Sequence, residues 1–283
     1  MMAHQAEYRI ATMCRVLQVS ASGFYSRRAR PQSQRQRNDT KLATMITAIH
    51  KRSKGTYGRP RVHAELINAG LHVSGKRIAR IMRENSLVGA SRRKTVVTTV
   101  QDRGGKPAPD LVHRNFSASA PNQLWVADMT YVSTWAGFLY LALVLDVYSR
   151  RIVGWATGPR MHKQLVIDAL NMAVHQRKAR GVIHHSDRGT QYTSTAFSER
   201  CQDIGIVPSM GRVGNCYDNA MAESLNATIE CELLGKHRFR TRAEAELAIF
   251  EYIEGWYNRH RRHSAIGYVS PITYEQRTGA RSL

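Results

Sequence analysis

The spacing of apolar residues predicts a mostly helical first third of the chain. Apolar side chains recur every three or four positions, the period of an amphipathic helix, in residues 6–17, 39–54, 60–69 and 75–84. Pro60 suits the first turn of the third segment, and Ser74 suits the N-cap of the fourth. We therefore predict a helix-turn-helix in residues 38–90. For residues 1–37 we predict a smaller helical region, a helix-turn-helix or a plain helical hairpin, that ends in a polar linker at residues 31–37.

The period of the pattern changes after Pro121. Strand-like segments occupy residues 124–133, 138–147, 151–157, 181–184 and 205–209, and helical segments occupy residues 163–178, 195–203, 218–234 and 242–257. Neighbouring strands followed by strands that alternate with helices predict an α/β fold, a mixed sheet flanked by helices. We place this core at residues 119–275, with a helical tail at its C-terminal end, and a basic linker at residues 91–118.

Two predicted helices in the core have apolar faces that should pack on the sheet. The first has the predicted buried stripe Ala222, Leu225, Ile229 and Leu233. The second has the predicted buried face Ala243, Leu247, Phe250, Ile253, Trp256 and Tyr257. A basic segment, residues 259–263, follows the second helix and is a candidate contact with DNA or with a neighbouring subunit.

Positive charge is concentrated at the N-terminal end of the chain. The formal net charge is +21; basic residues exceed acidic ones by 17 in residues 1–106 and by 4 in residues 107–283. Such clustering is expected where a polyanion is bound, because a merely soluble surface mixes both signs. In the second helix of the predicted helix-turn-helix, the outward-facing basic residues are candidate DNA contacts: Lys76, Arg77, Arg80 and Arg83. The alternative is the solvated face of a basic helix.

Cysteine usage and hydropathy predict an intracellular protein. The four cysteines form no CxxC pair and have no spacing typical of a zinc site, so we predict reduced thiols. No stretch approaches the roughly 18 apolar residues of a membrane span, and residues 1–30 lack the core of a signal peptide. We therefore expect a soluble cytoplasmic protein with no membrane partner.

Three acidic residues stand in contexts that predict a shared site. Asp128 interrupts an otherwise apolar strand, Asp187 ends a short apolar strand, and Glu223 lies in the first turns of a helix. Carboxylate oxygens are hard ligands, and two Mg²⁺ ions held by such groups can promote cleavage of a phosphodiester bond. The interval of 35 residues between Asp187 and Glu223 recurs between Asp218 and Glu254, so the prediction depends on context and not on spacing.

Loops beside these acids should face a scissile phosphate. Their candidate DNA contacts are Arg188, Gln191, Tyr192, Arg212 and Asn215. Gly211 and Gly214 predict a mobile loop that could gate the site. We interpret His184 and His185 as packed strand residues and Asp146 as a structural or turn residue.

The motifs WVADMTYV, LDVYSRRIVGW, HHSDRGTQYTS, GRVGNCYDNAMAES and YNRHRRHSAIGYVSP resemble those of DDE transposases of the retroviral-integrase superfamily. The resemblance is closest to the catalytic second-frame protein of insertion-sequence family three and covers essentially the whole chain. It implies a ribonuclease-H-like core in which Asp128, Asp187 and Glu223 bind two Mg²⁺ or Mn²⁺ ions. The implied reaction is hydrolysis at the ends of a DNA element, followed by attack of the freed 3′-hydroxyl on another phosphodiester.

The resemblance also implies partners. These are double-stranded DNA as element end and as target, further copies of the chain assembled on DNA, and an upstream-frame protein, in the nucleoid of a bacterial cytoplasm. One position departs from the family pattern, because Glu230 stands two helical turns after Glu223, where a lysine or arginine is usual. The alternatives are an inactive transposase copy, a DNA-binding regulator without catalysis, and a ribonuclease-H-like nuclease that only hydrolyses.

Overall fold

The computed structural model describes residues 1–91, 108–211 and 219–279 of the chain. These residues contain ten α-helices and five β-strands. The N-terminal helices are α1 (Ile10–Val16), α2 (Ala21–Ala29), α3 (Gln34–Arg52), α4 (Arg59–Asn68) and α5 (Gly75–Glu84). The predicted linker at residues 31–37 is wrong in its second half, because α3 begins at Gln34. Ser33 and Gln36 form a capping box that satisfies the first amides of this helix.

Helices α4 and α5 confirm the predicted helix-turn-helix. The Ser74 hydroxyl accepts a hydrogen bond from the Arg77 amide at 3.3 Å, as expected of an N-cap. Gly70 has φ +78°, a left-handed conformation that suits glycine in the turn between the helices. The buried residues of the pair are Val62, Leu66, Ile78, Ile81 and Met82. Lys76 and Arg83 of α5 are exposed, whereas Arg77 and Arg80 are partly exposed and pair with Asp39 of α3.

The sheet contains β1 (Leu124–Thr134), β2 (Gly137–Asp146), β3 (Ile152–Gly158), β4 (Ile183–Ser186) and β5 (Val207–Met210), in the spatial order β3-β2-β1-β4-β5. The strands β1, β2 and β3 are antiparallel, whereas β4 and β5 are parallel to β1. The helices of the core are α6 (Lys163–Arg177), α7 (Thr195–Asp203), α8 (Ala220–Glu232), α9 (Arg242–Phe250) and α10 (Pro271–Gly279). The predicted mixed α/β fold of ribonuclease-H type is therefore confirmed, although α10 was not predicted.

Side chains alternate between the two faces of the sheet, as a half-buried strand requires. Leu124 and Val126 of β1 pack on the face that α8 covers, whereas Trp125 and Ala127 pack on the face that α6 and α7 cover. A methyl group at Gly154 would lie 2.1 Å from the Ala169 carbonyl oxygen, so glycine lets α6 approach β3 closely. The predicted stripe of α8 is confirmed, since Ala222, Leu225, Ile229 and Leu233 are all buried.

The buried face predicted for the last long helix is partly wrong. Leu247 is 59% exposed and Phe250 is 51% exposed, whereas Ala245 and Ile249 are fully buried. Because Ala245 is small, α9 can lie close to β1 and β2 on this side. The helix continues as a π-helix over Glu251–Tyr257, and Ile253, Trp256 and Tyr257 are buried there as predicted.

A buried ionic cluster joins the helix-turn-helix to the core. The Glu232 carboxylate of α8 accepts hydrogen bonds from Arg61 of α4 at 2.9 Å, from Arg261 at 2.7 and 2.8 Å, and from the Tyr252 hydroxyl at 2.9 Å. Burial favours the neutral acid, but Arg261 and Arg61 outweigh burial and hold the pKa of Glu232 below its usual range. Glu232 is therefore a buried anion that two arginines share.

Residues 261–263 of the basic segment belong to this joint; a contact of the segment with DNA or with a neighbouring subunit stays a prediction for its first two residues. Arg261 is 4% exposed and His263 is 9% exposed, and Arg262 pairs with Glu65 of α4 at 2.8 Å. The Tyr57 hydroxyl donates to the His260 carbonyl and accepts from the Arg262 amide. Only the first two residues of the segment, Arg259 and His260, are exposed.

Two smaller expectations can also be compared with the structure. Among the described residues, Cys14, Cys201 and Cys231 are free thiols, as predicted, and Cys216 lies outside the described residues. No helix in those same residues is long and apolar enough to span a bilayer.

We expect Glu232→Ala to lower the free energy of unfolding by about 3 to 5 kcal/mol, because it leaves the buried Arg261 without a counter-charge. Urea unfolding measures this loss. Glu230→Ala is the matched control, since Glu230 lies on the same helix but is exposed, and it should change stability by less than about 0.5 kcal/mol. Equal effects of the two substitutions would contradict the structural role of the cluster.

Candidate active site

The parallel pairing of β1 with β4 brings two of the predicted acids together. Val126 is the register partner of His185, and each predicted aspartate lies two residues further on, Asp128 in β1 and Asp187 directly after β4. Because side chains alternate and neighbouring strands lie about 4.8 Å apart, the two aspartates lie side by side on the same face. Two sequence-distant acids thus meet at the carboxyl end of β4, beside the middle of β1.

Helix α8 brings the third predicted acid to this face. The Asn226 side chain donates to Asp128 Oδ2 at 2.9 Å, and the Asn219 side chain donates to the Ala127 carbonyl oxygen at 3.3 Å. Glu223 lies one helical turn before Asn226, on the same side of α8. Its side chain is exposed, whereas the side chains of Asp128 and Asp187 are half-buried.

Backbone amides hold the two aspartates in place. Asp128 Oδ1 accepts from the Met129 amide at 2.8 Å, and Asp187 Oδ1 accepts from the Gly189 amide at 3.0 Å. A side chain at position 189 would begin only 3.0 Å from Asp187 Oδ1, so glycine permits this close approach of backbone to carboxylate. The remaining lone pairs of the carboxylates stay available for other partners.

The three acids affect one another electrostatically. Burial, followed by the charge of Asp187, raises the pKa of Asp128 to about 7, and Glu223 adds to this rise. Burial also raises the pKa of Asp187, and burial together with the charge of Asp187 raises the pKa of Glu223. Among the described residues, no basic side chain offsets these rises in pKa, so the negative charge of the three acids is not compensated there.

These acids are neighbours but do not form a closed set of ligands. Within residues 1–91, 108–211 and 219–279, no group of three or more His, Cys, Asp or Glu side chains is arranged to hold a metal ion. The donor set itself is suited to Mg²⁺, since it consists of hard oxygen ligands with an excess of negative charge.

An apolar floor lies beneath the aspartates, and it corrects one prediction. Tyr192 is 2% exposed and packs against His184 and Phe197, so the prediction that it contacts DNA is wrong. Burial and the nearby charges of Asp128 and Asp187 raise the pKa of its phenol well above the usual value. Neither ring nitrogen of His184 has a hydrogen-bond partner, and burial lowers its pKa to about 4, so it is the neutral packed histidine that we predicted.

The other predicted structural residues have clear partners. The His185 ring bonds to the Ser209 hydroxyl at 2.9 Å. Asp146 is buried and accepts hydrogen bonds from the amides of Asn122 and Tyr148, which is the turn role expected of it. These two residues hold strand ends and loops in place.

The predicted DNA contacts differ in their surroundings. Arg188 is half-buried and donates to the Gly211 carbonyl oxygen at 2.7 Å, and the Gln191 side chain donates to the Met161 carbonyl oxygen at 3.4 Å. Both remain beside Asp187, as their positions in the sequence require. Arg212, Asn215 and Gly214, with the predicted mobile loop, lie outside the described residues, as does Asp218.

The basic residues of α5 fall into two pairs. Lys76 and Arg83 are exposed, as predicted. Arg77 and Arg80 are only partly exposed, and both pair with Asp39 of α3 at 2.7 Å. These two arginines therefore stabilise the packing of α3 on α5 in this structure, and any DNA contact that they make remains a prediction.

Asn226 is the residue of the site that sequence reasoning missed. Its position three residues after Glu223 was the available signal, because that spacing puts both side chains on one side of a helix. An amide at this point can donate to a carboxylate, but nothing in the sequence indicates that the carboxylate is Asp128.

Comparison with known proteins identifies the family of this chain. The integrase core domain family matches residues 118–216 and again residues 204–271, and an HTH-like domain matches residues 36–95. The transposase InsF for insertion sequence IS3A of Escherichia coli (strain K12) is 40% identical over 97% of this chain and 96% of its own length. The chain belongs to the IS3 family of transposases. The resemblance stated from the motifs is thereby confirmed.

Other relatives of this transposase have comparable similarity. The transposase for insertion sequence element IS629 of Shigella sonnei is 37% identical over 95% of this chain and 92% of its own length. The 31 kDa protein of insertion element IS600, also of Shigella sonnei, is 44% identical over 94% of this chain and 98% of its own length. Among solved structures, the HTLV-2 integrase catalytic core domain in complex with magnesium has 17% identity and a TM-score of 0.43, covering 56% of this chain and 99% of that chain.

We expect Asp128→Asn to stabilise the metal-free transposase at about pH 8 by about 1 to 3 kcal/mol. Asp128 binds its proton more tightly in the folded chain, since its pKa rises from 3.8 to about 7. The folded chain therefore loses stability as the pH rises from the pKa of Asp128 in the unfolded chain through its pKa in the folded chain. Urea unfolding in a chelator between about pH 4 and pH 8 measures the difference, which should vanish at the acid end.

Asp203→Asn is the matched control for this substitution, because Asp203 is an exposed aspartate of the same core. Its pH profile should follow that of the unaltered chain. A parallel loss of stability in Asp128→Asn and the unaltered chain would show that Asp128 carries no buried charge.

Proposed function

We propose that this transposase cuts DNA at the ends of its element and joins the freed 3′-hydroxyl to a second DNA, with Asp128, Asp187 and Glu223 as its catalytic and metal-binding residues. The observation that carries the proposal is the mutual influence of these three carboxylates at one end of the sheet. Such uncompensated charge destabilises the folded chain, and groups of this kind are concentrated in active sites, where their perturbed pKa values serve catalysis.

Asp128, Asp187 and Glu223 would hold two Mg²⁺ ions, or Mn²⁺ in their place. When bound, such ions activate the attacking oxygen and neutralise charge on the phosphorus and the leaving oxygen. The half-exposed setting suits this role, because the two half-buried aspartates would fix the position of the ligands while the exposed Glu223 can adjust. The integrase core domain match is consistent with the use of a divalent metal.

The chain's own residues position these ligands. Asn226 and the Met129 amide occupy lone pairs of Asp128, and the Gly189 amide occupies a lone pair of Asp187, so each aspartate presents a restricted set of oxygens outwards. The buried His184 and Tyr192 exclude water from below the aspartates. A phosphodiester would therefore approach from the solvent side, where Glu223 lies.

The DNA would also be held by the basic helical region. Lys76 and Arg83 are exposed on α5, and Arg188 and Gln191 lie beside Asp187. We assign these residues to the DNA interface, together with the predicted contacts Arg77, Arg80, Arg212 and Asn215. Double-stranded element ends and target DNA are the partners, and the proposal extends to further copies of the chain on DNA and to an upstream-frame protein, in the nucleoid of a bacterial cytoplasm.

A regulator without catalysis, or an inactive copy, is the second candidate, and Glu230 is the observation that favours it. Glu230 is exposed on α8 two turns after Glu223, so a negative charge lies where DNA would approach the acids. The helix-turn-helix would still bind DNA in such a protein, and cleavage would be absent.

We expect Asp187→Asn to reduce cutting of labelled element ends by about a hundredfold or more in Mg²⁺, because a ligand of the metal is lost. DNA binding should be retained, since a negative charge is removed. Products resolved by length distinguish cut from joined DNA. Asp203→Asn is the control and should cut normally; loss of cutting in both, or in neither, would remove the assignment of Asp187, and absence of cutting by the unaltered chain would favour the second candidate.

We expect Glu230→Arg to tighten binding of element ends and to make it more salt-dependent by about one phosphate contact. The physical reason is the replacement of repulsion by attraction beside the acids. Fluorescence anisotropy over a range of salt concentrations measures both effects. Glu199→Arg is the control, since Glu199 is exposed on α7, and an equal gain there would show that only net charge matters.

A further inference from the structure

A polar cavity lies beside α8 on the side that faces α4. Its volume is about 250 Å³, and its walls come from α4, α8, the turn between β2 and β3, and the segment after the π-helix. The arginines, the histidine and the carboxylate that line it are Arg61, Arg150, Arg261, His263 and Glu232. Ser224, which also lines the cavity, directly follows Glu223 of the candidate active site.

Positive charge exceeds negative charge in this cavity. Glu232 is its sole carboxylate among the described lining residues, and both Arg61 and Arg261 already bond to it. His263 is buried beside three arginines, and burial with their charges keeps its pKa well below the usual value, so its ring is neutral. Arg150 therefore adds a positive charge that the cavity does not balance.

Arg150 is costly to the folded chain in two independent ways. Its Nε is buried without a hydrogen-bond partner, and no carboxylate in the described residues pairs with it; burial accordingly lowers its pKa. Its φ of +62° lies in the left-handed region, which disfavours any residue with a side chain. A residue that combines unmatched charge with unfavourable backbone suggests a function that depends on it.

We infer that this cavity, here called the Arg150 cavity, binds a phosphate group, with Arg150 as the principal donor and Arg61 and Arg261 as supporting charges. A planar guanidinium can donate two parallel hydrogen bonds to the oxygens of a phosphate. The other arginines and the hydroxyl groups of the cavity can donate to the remaining phosphate oxygens. The phosphate can belong to a DNA backbone or to a free nucleotide or inorganic phosphate. The inference concerns binding alone and does not depend on cutting or joining.

The first arm of the test uses inorganic phosphate and thermal unfolding of the full chain in a chelator, with chloride at matched ionic strength as the reference. Phosphate should raise the midpoint of the unaltered chain by about 2 °C or more, because a ligand that binds the folded state stabilises it. Arg150→Gln should abolish most of this rise, and Arg150→Lys should retain part of it. The control is Arg180→Gln, which replaces an exposed arginine just before β4, at the end of that strand away from Asp187. This variant should behave like the unaltered chain.

The second arm measures binding of a short DNA duplex against salt concentration. Loss of one phosphate contact in Arg150→Gln should reduce the logarithmic slope by about 1. If Arg150→Gln loses both the salt slope of one contact and the phosphate-induced rise in unfolding midpoint, the cavity binds a DNA phosphate. If Arg150→Gln loses the rise in midpoint but keeps the full salt slope, the cavity binds a free phosphate compound.

Two results would overturn the inference. One is an Arg150→Gln variant that keeps both the phosphate-induced rise in unfolding midpoint and the full salt slope of DNA binding. The other is an equal loss of these effects in Arg180→Gln, which would show that they depend on general charge. If Arg150→Gln does not fold, Ala265→Glu places a carboxylate at the exposed rim of the cavity and should abolish the phosphate rise, while Ala136→Glu, in the remote turn between β1 and β2, should not.

Discussion

The parallel register between β1 and β4 is the constraint on which the site depends. It places Asp128 and Asp187 on adjacent strands at the same level and on the same face, although 58 residues separate them. A shift of one residue would turn one of the two side chains to the opposite face, because side chains alternate along a strand. Trp125 and Ala127, buried on the opposite face, fix that register through their packing.

The buried cluster around Glu232 extends this order to the helix-turn-helix. Its hydrogen bonds connect α4, α8 and the segment after the π-helix, so one helix carries Glu223 near its start and the joint at its end. The hydrophobic core is continuous across the same boundary, since Tyr57 packs against Trp256. Placement of the DNA-binding helices and placement of the third acid are therefore physically linked through α8.

Charge in this molecule is compensated in some buried places and left uncompensated in others. Within the chain, the carboxylates Glu232 and Asp39 each pair with two arginines. The acids around Asp128 carry surplus negative charge, and the cavity around Arg150 carries surplus positive charge. These two regions lie on neighbouring sides of α8, and each is suited to a ligand of opposite sign.

The sequence alone determined most of the elements and the three acidic residues of the candidate site. The periodicity of apolar residues, the helix caps and the composition of the strands located the sheet and the helix-turn-helix, because these signals are local. Asp128 could be recognised as a candidate because a carboxylate is unfavourable in an apolar strand. Tertiary packing decided the rest. It buried Tyr192, Arg261 and His263, exposed Leu247 and Phe250, and gave Asp128 its partner Asn226, since each outcome depends on surfaces contributed by residues far away along the chain.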